Sequence, residues 1–160
     1  MDDLVRWLGE QLDEDARIAR TAIDAVGPIL GAGQWRYAES LADEGGRYWS
    51  ITTVAPNETV PTVELVGSGM SGGGVHEEAL ARHIVEHDPA RVLREIDAKR
   101  RILALHRPVQ RRSTGSGGGT VEDCQICGHF PAQYPCGTLR ALALPYADRP
   151  GYRAEWAPAE

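Results

Sequence analysis

The sequence predicts an α+β fold made of an N-terminal helix, a three-stranded antiparallel meander, a bent helix pair and a C-terminal lobe of zinc knuckle and helix. Three observations lead there. Apolar residues recur at three- and four-residue steps over residues 3–26 and again over residues 76–106. Between those stretches, short aromatic and β-branched runs alternate with turn residues. Finally, all three cysteines, Cys124, Cys127 and Cys136, fall within thirteen residues.

Residues 3–26 read as the first helix. Leu4, Leu8, Leu12, Ala19, Ile23 and Val26 share one stripe, Arg6, Arg17 and Arg20 lie opposite, and Gly27-Pro28 stops the pattern. Asp15 falls on the apolar stripe, where a carboxylate needs a partner. An ion pair with an arginine of the C-terminal half is favoured over a catalytic role.

Three strands are expected at residues 34–38, 47–54 and 60–66, with turns at 43–46 and 55–58. Period-two spacing puts Trp35 and Tyr37 on one face of the first strand, and Trp49, Ile51 and Thr53 on one face of the second. Only Arg36 and Arg47 are near these aromatics, so they read as core rather than as a platform for stacked bases. The glycine-rich residues 67–74 lack the Lys-Ser/Thr ending of a phosphate loop and do not follow G-x-G-x-x-G. They read as a linker and, if over a pocket, as the chain's lid candidate.

Helix returns over residues 76–87. Asp88-Pro89 ends it and starts another, with Asp88 as N-cap and Pro89 at the first position. The second helix, 89 to about 106, turns Val92, Leu93, Ile96 and Leu103 inward and Arg91, Arg94 and Arg101 outward. His83 and His87, four apart, project from one side and could share a metal. A packed or capping pair is favoured, because Glu86 adjoins the second histidine and not the first, as a zincin would require.

A single domain over residues 1–160 is expected, with 107–123 as a flexible loop before the knuckle and 124–160 as the C-terminal lobe. In that lobe Cys136 opens a short helix, 137–144, whose N-terminal position favours the thiolate, and Leu139, Leu142 and Ala143 face inward. The tail with Tyr146, Tyr152 and Trp156 folds back on the body, with a helical turn near 150–156.

Composition bounds the function. A hydrophobic content of 42% with 25% charge excludes disorder for most of the chain. The N-terminus is acidic and amphipathic rather than a basic apolar leader, no long apolar run is present, and three clustered cysteines suit a reducing compartment; a cytoplasmic protein is expected, without a membrane partner. The formal net charge of −6 argues against a general nucleic-acid binder. It hides an asymmetry: residues 1–80 carry 5 basic and 14 acidic side chains, residues 81–160 carry 12 and 9. The basic excess between Arg91 and Arg112 reads as a solvated face paired with the acidic half rather than a phosphate track.

A family likeness is carried by Ala81-Arg82-His83-Ile84-Val85-Glu86-His87-Asp88-Pro89-Ala90-Arg91-Val92-Leu93-Arg94-Glu95, by Ala98-Lys99-Arg100-Arg101-Ile102, and by Cys136-Gly137-Thr138-Leu139-Arg140-Ala141-Leu142-Ala143-Leu144-Pro145-Tyr146-Ala147-Asp148 through Pro150-Gly151-Tyr152. With the acidic first helix, these strings resemble short actinobacterial and actinophage proteins known as domain of unknown function 6221. The resemblance covers most of the chain outside the glycine-rich loops. It implies an actinobacterial or phage origin and a cysteine cluster before the Thr-Leu-Arg helix, and it brings no activity. Arg149 stands where related chains commonly have His, which argues against a metal site in that turn.

Cys124-x-x-Cys127-Gly128 grips an ion from a tight turn and Cys136 returns as a third ligand. His129 is the nearest fourth ligand. His106 is preferred, because it follows Leu103 by three on the inner side of the second helix and the loop over 107–123 leaves slack to bring the knuckle beneath it. Cysteine thiolates with one histidine leave no position for water and make a structural zinc. Three cysteines alone would leave one open, but Asp123 rather than Pro precedes Cys124, so the deaminase pattern is absent.

The favoured reading is a small non-enzymatic zinc-stabilised protein, regulatory or phage accessory, with a protein partner. The alternative is an enzyme using His83, His87 and Asp15 as acid/base groups. A weaker one is a nucleic-acid binder acting through Arg100, Arg101, Arg111 and Arg112.

Overall fold

Residues 3–27, 33–41, 46–55, 57, 62–66, 74–112, 119–128 and 134–158 are described by a computed structural model. The chain is α+β: α1 (Asp3–Val26), β1 (Trp35–Leu41), β2 (Arg47–Thr53), β3 (Glu64–Val66), α2 (Glu78–Glu86), α3 (Pro89–Leu105), β4 (Pro108–Arg112), β5 (Thr120–Cys124) and α4 (Gly137–Ala143), then 3-10 turns at Leu144–Tyr146 and Ala154–Trp156. The chain is described as two compact units, Asp15–Glu95 and Met1–Glu14 with Ile96–Glu160.

The unit Asp15–Glu95 is built on the meander β1-β2-β3. Antiparallel register pairs Trp35 with Thr53, Tyr37 with Ile51 and Glu39 with Trp49, which sets the expected aromatic and β-branched residues on one face. On it Ile51 is buried with Val75 and Ala81, and Trp35, Tyr37, Trp49, Leu65, Ile84 and Val85 pack around them. Gly74 is held at φ +107°, and a Cβ there would stand 2.5 Å from the Tyr48 ring, so glycine is required for Val75 to bond Trp49 through both backbone groups. Residues 67–73, the linker and lid candidate, lie outside the described residues.

The bend between α2 and α3 has a definite cause. Asp88, only 8% exposed, accepts the Arg91 N–H at 2.7 Å on Oδ1 and the Trp35 N–H at 3.2 Å on Oδ2. One carboxylate thus caps α3 and fastens the start of β1 to it, while Pro89 at the first helical position needs no partner for a missing N–H.

In the unit Met1–Glu14 with Ile96–Glu160, the α1 stripe supplies buried Leu4, Leu8 and Leu12, and Leu139, Ala143, Tyr146 and Trp156 are buried from the C-terminal segments. Trp7 joins them. Its ring packs 5.3 Å from Trp156 and 5.6 Å from Tyr152, and its indole N–H donates to the Pro150 carbonyl at 3.0 Å. A Cβ on Gly151, at φ +86°, would lie 2.9 Å from the Trp7 indole nitrogen, so this close approach also depends on glycine.

The expected flexible loop over residues 107–123 is corrected by the structure. Its two ends form an antiparallel hairpin, with Pro108 opposite Cys124, Gln110 opposite Glu122 and Arg112 opposite Thr120; residues 113–118 lie outside the described residues. The strands are mostly exposed, so no alternation of apolar residues announces them. Backbone pairing, a Gln110–Glu122 hydrogen bond of 3.2 Å and the approach of Arg111 to buried Asp123 at 3.7 Å hold them instead.

Candidate metal centre

The hairpin sets the geometry of the cysteines. Its pairing runs past Pro108 and Cys124, since the Gln125 N–H donates to the Arg107 carbonyl at 2.9 Å and the Arg107 guanidinium bonds the Gln125 side-chain oxygen. His106, one residue earlier at the end of α3, is thereby placed beside the knuckle by a β-ladder rather than by a slack loop. The knuckle turns at Gly128, which takes φ +62° and returns its N–H to the Cys124 carbonyl at 3.1 Å. The Cys127 N–H points at the Cys124 sulfur, 3.5 Å away. Cys136 comes from the other side, at the N-cap of α4.

Four donor atoms converge. His106 Nδ1 lies 3.3 Å from the Cys124 sulfur, 3.5 Å from that of Cys127 and 3.4 Å from that of Cys136, and all four lie within 4.8 Å of one another. Zinc bonds of about 2.3 Å to sulfur and 2.0 Å to nitrogen, at tetrahedral angles, separate nitrogen from sulfur by about 3.5 Å. The arrangement therefore fits a Cys3His zinc site. Among the described residues no other group of three or more His, Cys, Asp or Glu side chains is placed to hold a metal. His129 lies outside the described residues.

Protons compete for the same sulfurs. Burial opposes ionisation of Cys124, 2% exposed, but N–H groups of Cys127 and Ile126 and bonds from the neighbouring thiols outweigh it, and its pKa lies below the usual thiol value. Cys136, 6% exposed, moves the other way: burial foremost, then the two other cysteines, push it up to about 11 against the bond from the Leu139 N–H. The helix N-terminus expected to favour its thiolate is outweighed by that burial. Without a cation the cluster keeps the Cys136 proton, and three thiolates side by side need a positive ion among them.

The acid/base candidates lie in the other unit, and only two of the three share a site. Asp15 and His87 line one cleft. The His83 backbone carbonyl meets His87 Nδ1 at 2.9 Å, and the two rings lie 4.3 Å apart between centroids, tilted by 43°, the arrangement of a capping pair. Two residues of the unit that holds the cysteines have structural roles that sequence reasoning does not assign: Gln125, whose backbone continues the ladder, and Asp123, whose carboxylate is 2% exposed beside the first cysteine. The only sequence signal for them is the Thr-Val pair that opens β5.

A family of unknown function (DUF6221) matches the chain over residues 1–158. No curated protein and no solved structure matches it.

Proposed function

The chain belongs to this family of unknown function, and we propose that it is a small zinc-stabilised, non-enzymatic protein, regulatory or phage accessory, that works by holding a surface for a protein partner. The observation that carries the reading is the equal approach of His106 Nδ1 to three sulfurs, at 3.3 to 3.5 Å. With the protein supplying four donors, the ion has no open position for water, and its work is mechanical. It ties the last turn of α3, the hairpin end and the start of α4 together.

Elemental analysis of protein purified without added metal tests this. One zinc per chain, lost in His106→Ala and kept in His129→Ala, is the expected result; no bound metal in the wild type contradicts it. The enzyme alternative draws less support, since Asp15 and His87 line one cleft and His83 is not among its described lining residues. The nucleic-acid alternative is weakened by pairing of the basic stretch: Arg91 bonds Glu95 at 2.8 Å, and Arg100 bonds Asp13.

A further inference from the structure

The three sulfurs of the metal centre are not equally reachable. Cys124 is 2% exposed and Cys136 6%, whereas Cys127 is exposed to solvent. The difference follows from where each one sits. Cys124 ends β5 within the hairpin ladder and Cys136 is the N-cap of α4. Cys127 stands in the turn that Gly128 closes back on Cys124, directly after Ile126, itself 56% exposed. Around a cation all three sulfurs are thiolates, the nucleophilic form. Their chemical state therefore does not separate them, and access from solvent does.

A second sulfur stands beside the exposed one. All three lie within 4.8 Å of one another, and the Cys127 N–H is 3.5 Å from the Cys124 sulfur, so the turn holds these two closely. Two residues separate them in the chain, and a sulfur–sulfur bond can close within the turn itself, whereas Cys136 belongs to α4. An exposed thiolate with a resolving thiolate next to it is the arrangement that peroxides oxidise reversibly.

We propose that Cys127 is a site of oxidation by hydroperoxides, which closes a Cys124–Cys127 disulfide and releases the metal; this rests on the zinc reading above. The Cys127 thiolate attacks one peroxide oxygen: an S–O bond forms, the O–O bond breaks, and the other oxygen leaves as hydroxide. The Cys124 thiolate then attacks the Cys127 sulfur, forming the S–S bond and expelling the remaining oxygen as a second hydroxide. Two protons from solvent turn both hydroxides into water, and the two electrons given up by the sulfurs reduce the peroxide. Of the four donors, Cys136 and His106 are left. The tie between the last turn of α3, the hairpin end and the start of α4 then holds only under reducing conditions.

Thiol mapping and peroxide titration of the full-length, zinc-loaded wild type test this, once its zinc content has been measured. Limiting N-ethylmaleimide should label Cys127 at least about tenfold faster than Cys124 or Cys136 in peptide maps. Hydrogen peroxide should release one zinc to a chromophoric chelator for each disulfide formed, with that disulfide joining Cys124 to Cys127, and a phosphine reductant with added zinc should restore the bound ion. Labelling of Cys127 no faster than of the buried pair, a disulfide other than Cys124–Cys127, or oxidation that leaves zinc bound overturns the proposal. A chain that holds no zinc at the outset fails the zinc reading and this inference with it; zinc bound at the outset and kept under peroxide fails this inference alone.

Discussion

Replacing His106 by alanine removes the one nitrogen from a site otherwise made of sulfur, and the consequence can be worked through. The three sulfurs stay within 4.8 Å of one another, so a metal can still bind, but its fourth position opens to water. Loss of a mere outer-shell partner costs roughly 10–100-fold in metal affinity, so loss of a ligand should cost at least about 100-fold. At zinc concentrations that saturate the wild type, a 100-fold weaker site removes about 2.7 kcal/mol of stabilisation. For a chain of this length that lowers Tm by roughly 5–10 °C. Calorimetry of wild type and His106→Ala across a zinc titration measures the shift, and chelator should lower the wild type toward the variant. A variant that melts within about 1 °C of wild type at every zinc concentration would show that His106 is not a ligand.

Three further outcomes are expected. In the metal-free protein the raised Cys136 pKa favours the neutral thiol in the fold, so its stabilising contribution is present below pH 9.0 and is lost as pH rises toward 11; the zinc-loaded protein behaves oppositely, shedding metal on acidification, and melting curves across pH should separate the two. Asp88→Ala should destabilise by about 1–3 kcal/mol in denaturant titrations, because it uncaps α3 at the Arg91 N–H and leaves the Trp35 N–H without its carboxylate. Gly151→Ala should cost at least about 1 kcal/mol and perturb the Trp7 fluorescence, since the new Cβ meets the indole nitrogen at 2.9 Å from a left-handed backbone.

The legible parts of the fold were those where burial writes a period into the sequence. The α1 stripe, the paired aromatic face of β1 and β2 and the Asp88-Pro89 break all follow from residue spacing, because each faces a core or caps a helix. The β4–β5 hairpin was not legible. Its strands are held by backbone pairing and polar side chains, and glycine and serine between them read as slack. Trp7 likewise gives no local hint that Gly151 and Pro150, far along the chain, approach its indole. Among the acid/base candidates, spacing put His83 and His87 on one helix side, but it could not say that the His83 carbonyl meets His87 Nδ1.

X-ray absorption of the zinc-loaded protein should show three sulfur scatterers at about 2.3 Å and one nitrogen at about 2.0 Å, with imidazole outer-shell features that vanish in His106→Ala. A wild-type spectrum with two or fewer sulfurs, or one unchanged by that substitution, would contradict a Cys3His site.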